Sequence, residues 1–240
     1  MTRLPLLRGL SSIESKSLRE LAILFMHEKS FSGAGELELT EHMRLSIALQ
    51  ACLPILNLGV EWYRGWVSII VYAHDFTPMH AYVDAAGVVH TDRGVLSGEA
   101  WLSGPVVLAW PRIERGESDG YNLVIHEFAH KLDMRNGVAN GMPPLHRDMD
   151  IAAWTRDFSL AFEDFRSRVD TGAADRRIDT YGTESPEEFF AVTSELFFEA
   201  PEILLEIYPA VYRQLRDFYR QDPIARRAGQ SAVAGAPFQH

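Results

Sequence analysis

The run His126-Glu127-Phe128-Ala129-His130 constrains this chain more than any other feature. A helix places residues four apart on one face, one turn from each other, so both imidazoles reach a single metal ion. Glu127 then lies beside the metal, where a base for a bound water is needed. The surroundings match. Val106 to Trp110 (VVLAW) reads as a buried strand, followed by Pro111 and a polar loop from Arg112 to Gly120. Ser118 or Asp119 is the expected cap of a helix from about Tyr121 to Leu132, with Leu123, Val124, Phe128 and Leu132 as its apolar positions.

A chain of 240 residues suffices for one substantial domain. Helical periodicity predicts a first helix over Ser11 to His27, with Leu18, Leu21, Ala22, Leu24 and Phe25 inward. A Gly-containing loop spans Phe31 to Glu36. A second helix starts near Thr40 and ends at about Leu53, before Pro54, with Leu45, Ile47, Ala48, Ala51 and Cys52 inward. Trp66 to Tyr72 (WVSIIVY) is a β-prone strand, and Ala81 to His90 a hairpin turning near Ala85, Ala86 and Gly87. Asp150 to Val169 predicts a long amphipathic helix whose Trp154, Phe158, Phe162 and Phe165 are core aromatics. Helices over Pro186 to Glu199 and Tyr208 to Arg220 follow. The Ala-, Gly-, Gln- and Ser-rich end predicts a frayed tail over 223–240. If that tail covers a cleft, truncation after Asp222 raises activity. The expected architecture is α+β: one domain over 1–222, including N-terminal helices at 10–56, with a small mixed or antiparallel sheet flanked by helices.

A net charge of -10 argues against a nucleic-acid-binding surface. Cys52 is the only cysteine, which excludes an intrachain disulfide and any multi-cysteine metal site and favours a reducing compartment. The apolar run near the N-terminus is too short for a signal peptide, and no stretch reaches membrane-spanning length. The expected location is the cytoplasm.

A catalytic zinc takes three protein ligands and keeps one position open. A third histidine or aspartate six residues beyond the second is excluded, because Asn136 stands there and Asp133 replaces the usual glycine. His146 lies in a loop after Pro143 and Pro144. Asp133, one turn past His130, suits orienting a histidine or capping the loop better than binding metal. The stretch from Tyr181 to Glu195 (YGTESPEEFFAVTSE) offers glutamates instead. Glu188 and Glu195 lie seven apart on one helix face. Ser185-Pro186-Glu187-Glu188 also has capping-box form, which would turn Glu188 back toward the helix start. Spacing alone separates neither these roles nor the two glutamates.

The segment His126 to Gly137 (HEFAHKLDMRNG), with the stretch from Tyr181 to Pro201, resembles the Mlc titration factor A family of zinc peptidases. Glu38 to Arg44 (ELTEHMR), Gln50 to Leu53 (QACL) and Phe218 to Pro223 (FYRQDP) extend the resemblance over most of the chain. That family belongs to the gluzincins, with a zincin-like catalytic core similar to that of anthrax lethal factor. The resemblance implies one Zn2+ held by His126, His130 and Glu188, Glu127 as the catalytic glutamate and Tyr181 as the active-site tyrosine. Glu195 then supports the site without binding metal. Glu187, directly before Glu188, leaves two adjacent carboxylates where the family varies.

The implied activity is hydrolysis of peptide bonds by a metal-activated water, aminopeptidase-like on short peptides with small N-terminal residues. Glu127 moves the proton and Tyr181 stabilises the oxygen that gains charge. The strand at Val106 to Trp110 offers an edge for an extended peptide. The resemblance also implies a partner, the Mlc repressor of sugar-transport genes. A non-catalytic regulatory protein with a structural zinc is the alternative, and retention of Glu127 favours the enzyme.

Overall fold

A computed structural model describes residues 4–74, 81–83, 89–91, 104–115 and 120–234. Helix α1 (Ser12–Glu28) begins at a complete capping box, Ser11 with Glu14, and buries Leu18, Ala22 and Phe25. Leu24, expected inward, is half exposed, because the buried line is a narrower stripe at i, i+4 and i+7. Strand β1 (Ser30–Ala34) replaces the start of the expected loop. Helix α2 (Glu41–Cys52) starts as expected at Thr40, which accepts a hydrogen bond from Met43 N–H, and Cys52 is buried. Leu45 on that helix is partly exposed rather than core.

Strands β2 (Ser68–Tyr72) and β5 (Val106–Ala109) join β1 in a three-stranded sheet of order β1-β2-β5. Every pairing in it is parallel, with Ser30 opposite Ser68 and Ile69 opposite Val106. The expected mixed or antiparallel sheet is thus corrected. The chain leaves β1 through α2 before entering β2, and another long connection precedes β5, so each strand re-enters in the same direction. Among the described residues, antiparallel pairing is confined to a separate pair, β3 (Ala81–Val83) with β4 (Val89–Thr91), where Tyr82 faces His90. Its expected turn at Ala85 to Gly87 lies outside the described residues. Trp110, expected to end β5, opens the short helix α3 (Trp110–Arg115) instead.

Helix α4 (Leu123–Asp133) carries both histidines and packs against β5, α2 and α6 (Pro186–Glu199). Leu123, Val124, Ile125, Phe128, Ala129 and Leu132 are all buried. Phe128 projects into a ring cluster with Phe25, Tyr63 and Trp66, at centroid distances of 5.6, 5.0 and 5.6 Å. This cluster anchors the helix against α1 and the segment that leads into β2. Lys29 seals it by donating to the carbonyls of Tyr63 and Trp66.

Helix α5 (Ile151–Asp170) is capped by Asp150 and covers α6 with Trp154, Phe158 and Phe165. Between α6 and Asp222 lie two helices where one was expected, α7 (Pro201–Ile207) and α8 (Pro209–Tyr219), each started by a proline. Of the segment 223–240 expected as a frayed tail, 235–240 lie outside the described residues and Pro223–Ala234 forms helix α9. Arg226 ties it to Glu14 and Gln221, and Arg227 donates to Glu202 and to the last carbonyls of α6 at Phe198 and Glu199. Those contacts hold a segment whose composition alone does not favour order. Among the described residues, no helix is long and apolar enough to cross a membrane.

Candidate metal centre

Helix α4 starts at Asn122, whose side chain accepts a hydrogen bond from Ile125 N–H at 2.9 Å. This corrects the cap expected at Ser118 or Asp119, which lie outside the described residues. From this start the helix turns His126 and His130 to one face, rings 4.8 Å apart and nearly perpendicular. Helix α6 starts at Ser185, which accepts from Glu188 N–H at 3.4 Å. The Glu188 carboxylate does not complete a capping box; it is directed at the histidines.

Three atoms converge. Glu188 Oε2 lies 3.0 Å from His126 Nε2 and 3.3 Å from His130 Nε2, and the two Nε2 atoms are 3.2 Å apart. A tetrahedral site with zinc bonds of about 2.0–2.1 Å has ligand-to-ligand edges of about 3.3 Å, so the triangle has the size of one tetrahedral face. Two imidazoles with one carboxylate also form a donor set suited to zinc. Among the described residues, His126, His130 and Glu188 are the one group of histidine, cysteine and acidic side chains close enough together to hold a metal.

The opposite edge of the His126 ring is held as well. Its Nδ1 lies 2.8 Å from Glu195 Oε1, and the other oxygen of Glu195 accepts from the Asn122 backbone N–H. A proton held on Nδ1 by this carboxylate leaves the Nε2 lone pair pointing at the cluster. The two glutamates seven residues apart therefore take different nitrogens of one imidazole. Burial disfavours a charged His126, yet its hydrogen bonds to Glu188 and Glu195 outweigh that and push its pKa well above the usual value. Burial opposes ionisation of Glu188 too, but hydrogen bonds from both histidines hold it far below the usual carboxylate range. Burial raises Glu195.

Tyr181 sits in a 3₁₀ turn, Thr180–Thr183, capped by Asp179. Its ring centroid is 5.9 Å from that of His126. Burial, then the charges of Glu188 and Glu127, raise its pKa, so the hydroxyl stays a proton donor at neutral pH. Glu127 is half-buried on the same helix as the histidines.

The other sequence candidates lie elsewhere. His146 Nε2 is 2.8 Å from the Phe218 carbonyl, and the ring stacks on Phe218. Asp133 accepts from the backbone N–H groups of Asn140 and Gly141, the loop-capping role. Glu187 is not part of the cluster. Sequence reasoning missed Asn122, which caps the helix, binds Glu195 through its backbone and donates through Nδ2 to Gln50 at 2.8 Å and Glu199 at 2.7 Å. The available signal was an asparagine directly before the apolar run Leu123-Val124-Ile125.

Residues 1–220 match the family model described as glucose-regulated metallo-peptidase M90. The chain is similar to Mlc titration factor A of Klebsiella pneumoniae subsp. pneumoniae, 40% identical over 226 residues, covering 93% of this chain and 85% of that protein. Mlc titration factor A of Yersinia pestis is 40% identical over 238 residues, covering 98% and 88%.

Proposed function

The chain belongs to the M90 family of glucose-regulated metallopeptidases, and from that premise we propose that it is a zinc-dependent peptidase of the gluzincin type. In this reading His126, His130 and Glu188 bind zinc, Glu127 is the general base, and Tyr181 stabilises developing charge. The observation that carries it is the triangle of 3.0, 3.2 and 3.3 Å between His126 Nε2, His130 Nε2 and Glu188 Oε2, backed by Glu195 behind His126.

His126, His130 and Glu188 would hold the zinc, which would supply Lewis acidity and favour deprotonation of water near neutral pH. The protein's own residues do the rest. Glu127 takes the proton of the attacking water and returns it to the leaving amine. The protonated Tyr181 hydroxyl donates a hydrogen bond to the oxygen that gains charge. Glu195 keeps the His126 tautomer fixed throughout.

The substrate is a peptide, and the activity is aminopeptidase-like on short chains. Among the described residues, β5 pairs with β2 alone, and an extended substrate backbone would add along its other edge. A second reading, a regulatory binding protein, draws on one observation: the relatives are called titration factors of Mlc. Such a partner would be an Mlc-like transcriptional repressor, and binding can coexist with hydrolysis.

Metal analysis with a peptide-library assay tests both. The wild type should carry about one zinc per chain and cleave peptides in a chelator-sensitive way. Glu188→Gln should lose metal, and Glu127→Gln should keep metal and lose cleavage. A wild type that holds zinc but cleaves nothing favours the binding protein, and full zinc occupancy in Glu188→Gln refutes the ligand set.

A further inference from the structure

The two helices that supply the metal-facing atoms are joined by a connection that includes all of α5, yet they also meet directly. Asp133, the last residue of α4 and one turn beyond His130, is fully buried. Its Oδ2 accepts from Asn140 N–H at 2.9 Å and Gly141 N–H at 2.7 Å. The loop is fixed from two further sides, by Asn136 donating to the Met142 carbonyl at 3.0 Å and by Trp154 Nε1 donating to the Gly141 carbonyl at 3.2 Å.

Gly141 then abuts α6. Its φ is +78°, and a Cβ built there would lie 2.6 Å from the carbonyl oxygen of Pro186 and 2.9 Å from its carbonyl carbon. Pro186 is the first residue of α6, two before Glu188. A Cβ at Gly141 would press on backbone atoms of Pro186, a clash that side-chain rotation cannot relieve.

We propose that Asp133 and Gly141 form a clasp that sets the distance between the end of α4 and the start of α6, and thereby positions Glu188 against His130. Asp133 and Gly141 are positioning residues: they act through the loop and Pro186. The inference rests on the reading of His126, His130 and Glu188 as metal ligands. If the clasp holds the ligands in register, loosening or wedging it lowers metal affinity even when the fold survives. Changes of this kind around a metal site cost about 10- to 100-fold in affinity.

Gly172 supplies an internal control. Its φ is +71°, close to that of Gly141, but a Cβ there meets nothing within 4 Å. Gly172→Ala therefore imposes the same backbone strain without touching α6. The experiment is equilibrium zinc competition against a chromophoric chelator, with thermal unfolding of the metal-free proteins measured in parallel. Gly141→Ala should weaken zinc binding about 10- to 100-fold, while Gly172→Ala binds zinc like the wild type. Should Gly141→Ala fail to fold, Asp133→Ala and Asp133→Asn decide. Alanine removes the acceptor of two buried N–H groups and should lose affinity; asparagine keeps an acceptor oxygen and should largely restore it. Wild-type zinc affinity in Gly141→Ala, or in Asp133→Ala, overturns the clasp even if Tm falls. Absence of zinc binding in the wild type overturns the metal reading instead, so the two failures are distinguishable.

Discussion

Replacing Glu195 by glutamine tests whether the support behind His126 is worth what its geometry suggests. Glu195 is 1% exposed and satisfies two donors at once, His126 Nδ1–H through one oxygen and Asn122 N–H through the other. Glutamine has a single carbonyl oxygen, so it serves one donor and turns an NH2 group on the other. A buried donor left without an acceptor costs about 1–3 kcal/mol. In a chain of this size each kcal/mol moves Tm by about 2–4 °C, so the metal-free variant should melt about 2–12 °C below wild type. Zinc affinity should fall about 10- to 100-fold, equal to about 1.4–2.7 kcal/mol, because the imidazole loses its fixed tautomer and orientation. The assay is chelator competition at pH 7.5 beside a melt of the metal-free protein. Zinc affinity within twofold of wild type and an unchanged Tm would refute the reasoning, since neither donor would then depend on the carboxylate.

Three further outcomes are expected. Burial raises the pKa of Asp133 from 3.8 to about 6, so the folded state holds the proton more tightly than the unfolded chain and stability from this group is lost as pH rises through that window. Between pH 4.5 and 7.5, metal-free wild type should lose about 2 kcal/mol relative to Asp133→Asn in denaturant titrations; a pH-independent difference would contradict this. Truncation after Asp222 removes Arg226 and Arg227, so it should lower Tm by several degrees; higher activity with unchanged Tm would restore the idea of a covering tail. Val107→Pro in β5 should raise KM for peptides with little change in kcat if the substrate pairs with this edge, and an unchanged KM in a folded variant would exclude such pairing.

The elements nearest the site were readable because their signals are local. Thr40, Asp150 and Ser185 each precede a periodic apolar run, and each caps the helix expected there. The His126 and His130 pair needs nothing beyond helical spacing. What could not be read depends on contacts distant in sequence. The direction taken by Glu188 is set by the rotation of α6 against α4, so its capping and metal-facing roles looked equivalent until the helices were docked. Strand β1 (SFSGA) has weak β-propensity and is held by pairing to β2. That pairing made the sheet parallel. Helix α9 was hidden for the same reason: Arg226 and Arg227 find their partners in α1, at the end of α8 and around the end of α6.

The convergence of His126 and Glu188 has a consequence for the chain as a polymer. An ion held by both residues, together with His130, is a reversible cross-link closing a loop of about 60 residues. Were it as rigid as a covalent bridge, it would remove about 4 kcal/mol of conformational freedom from the unfolded chain. Helix α5 lies entirely within that loop. An ion so held would therefore act as a staple on the unfolded chain, and its removal would lower the stability of the fold as well as empty the site.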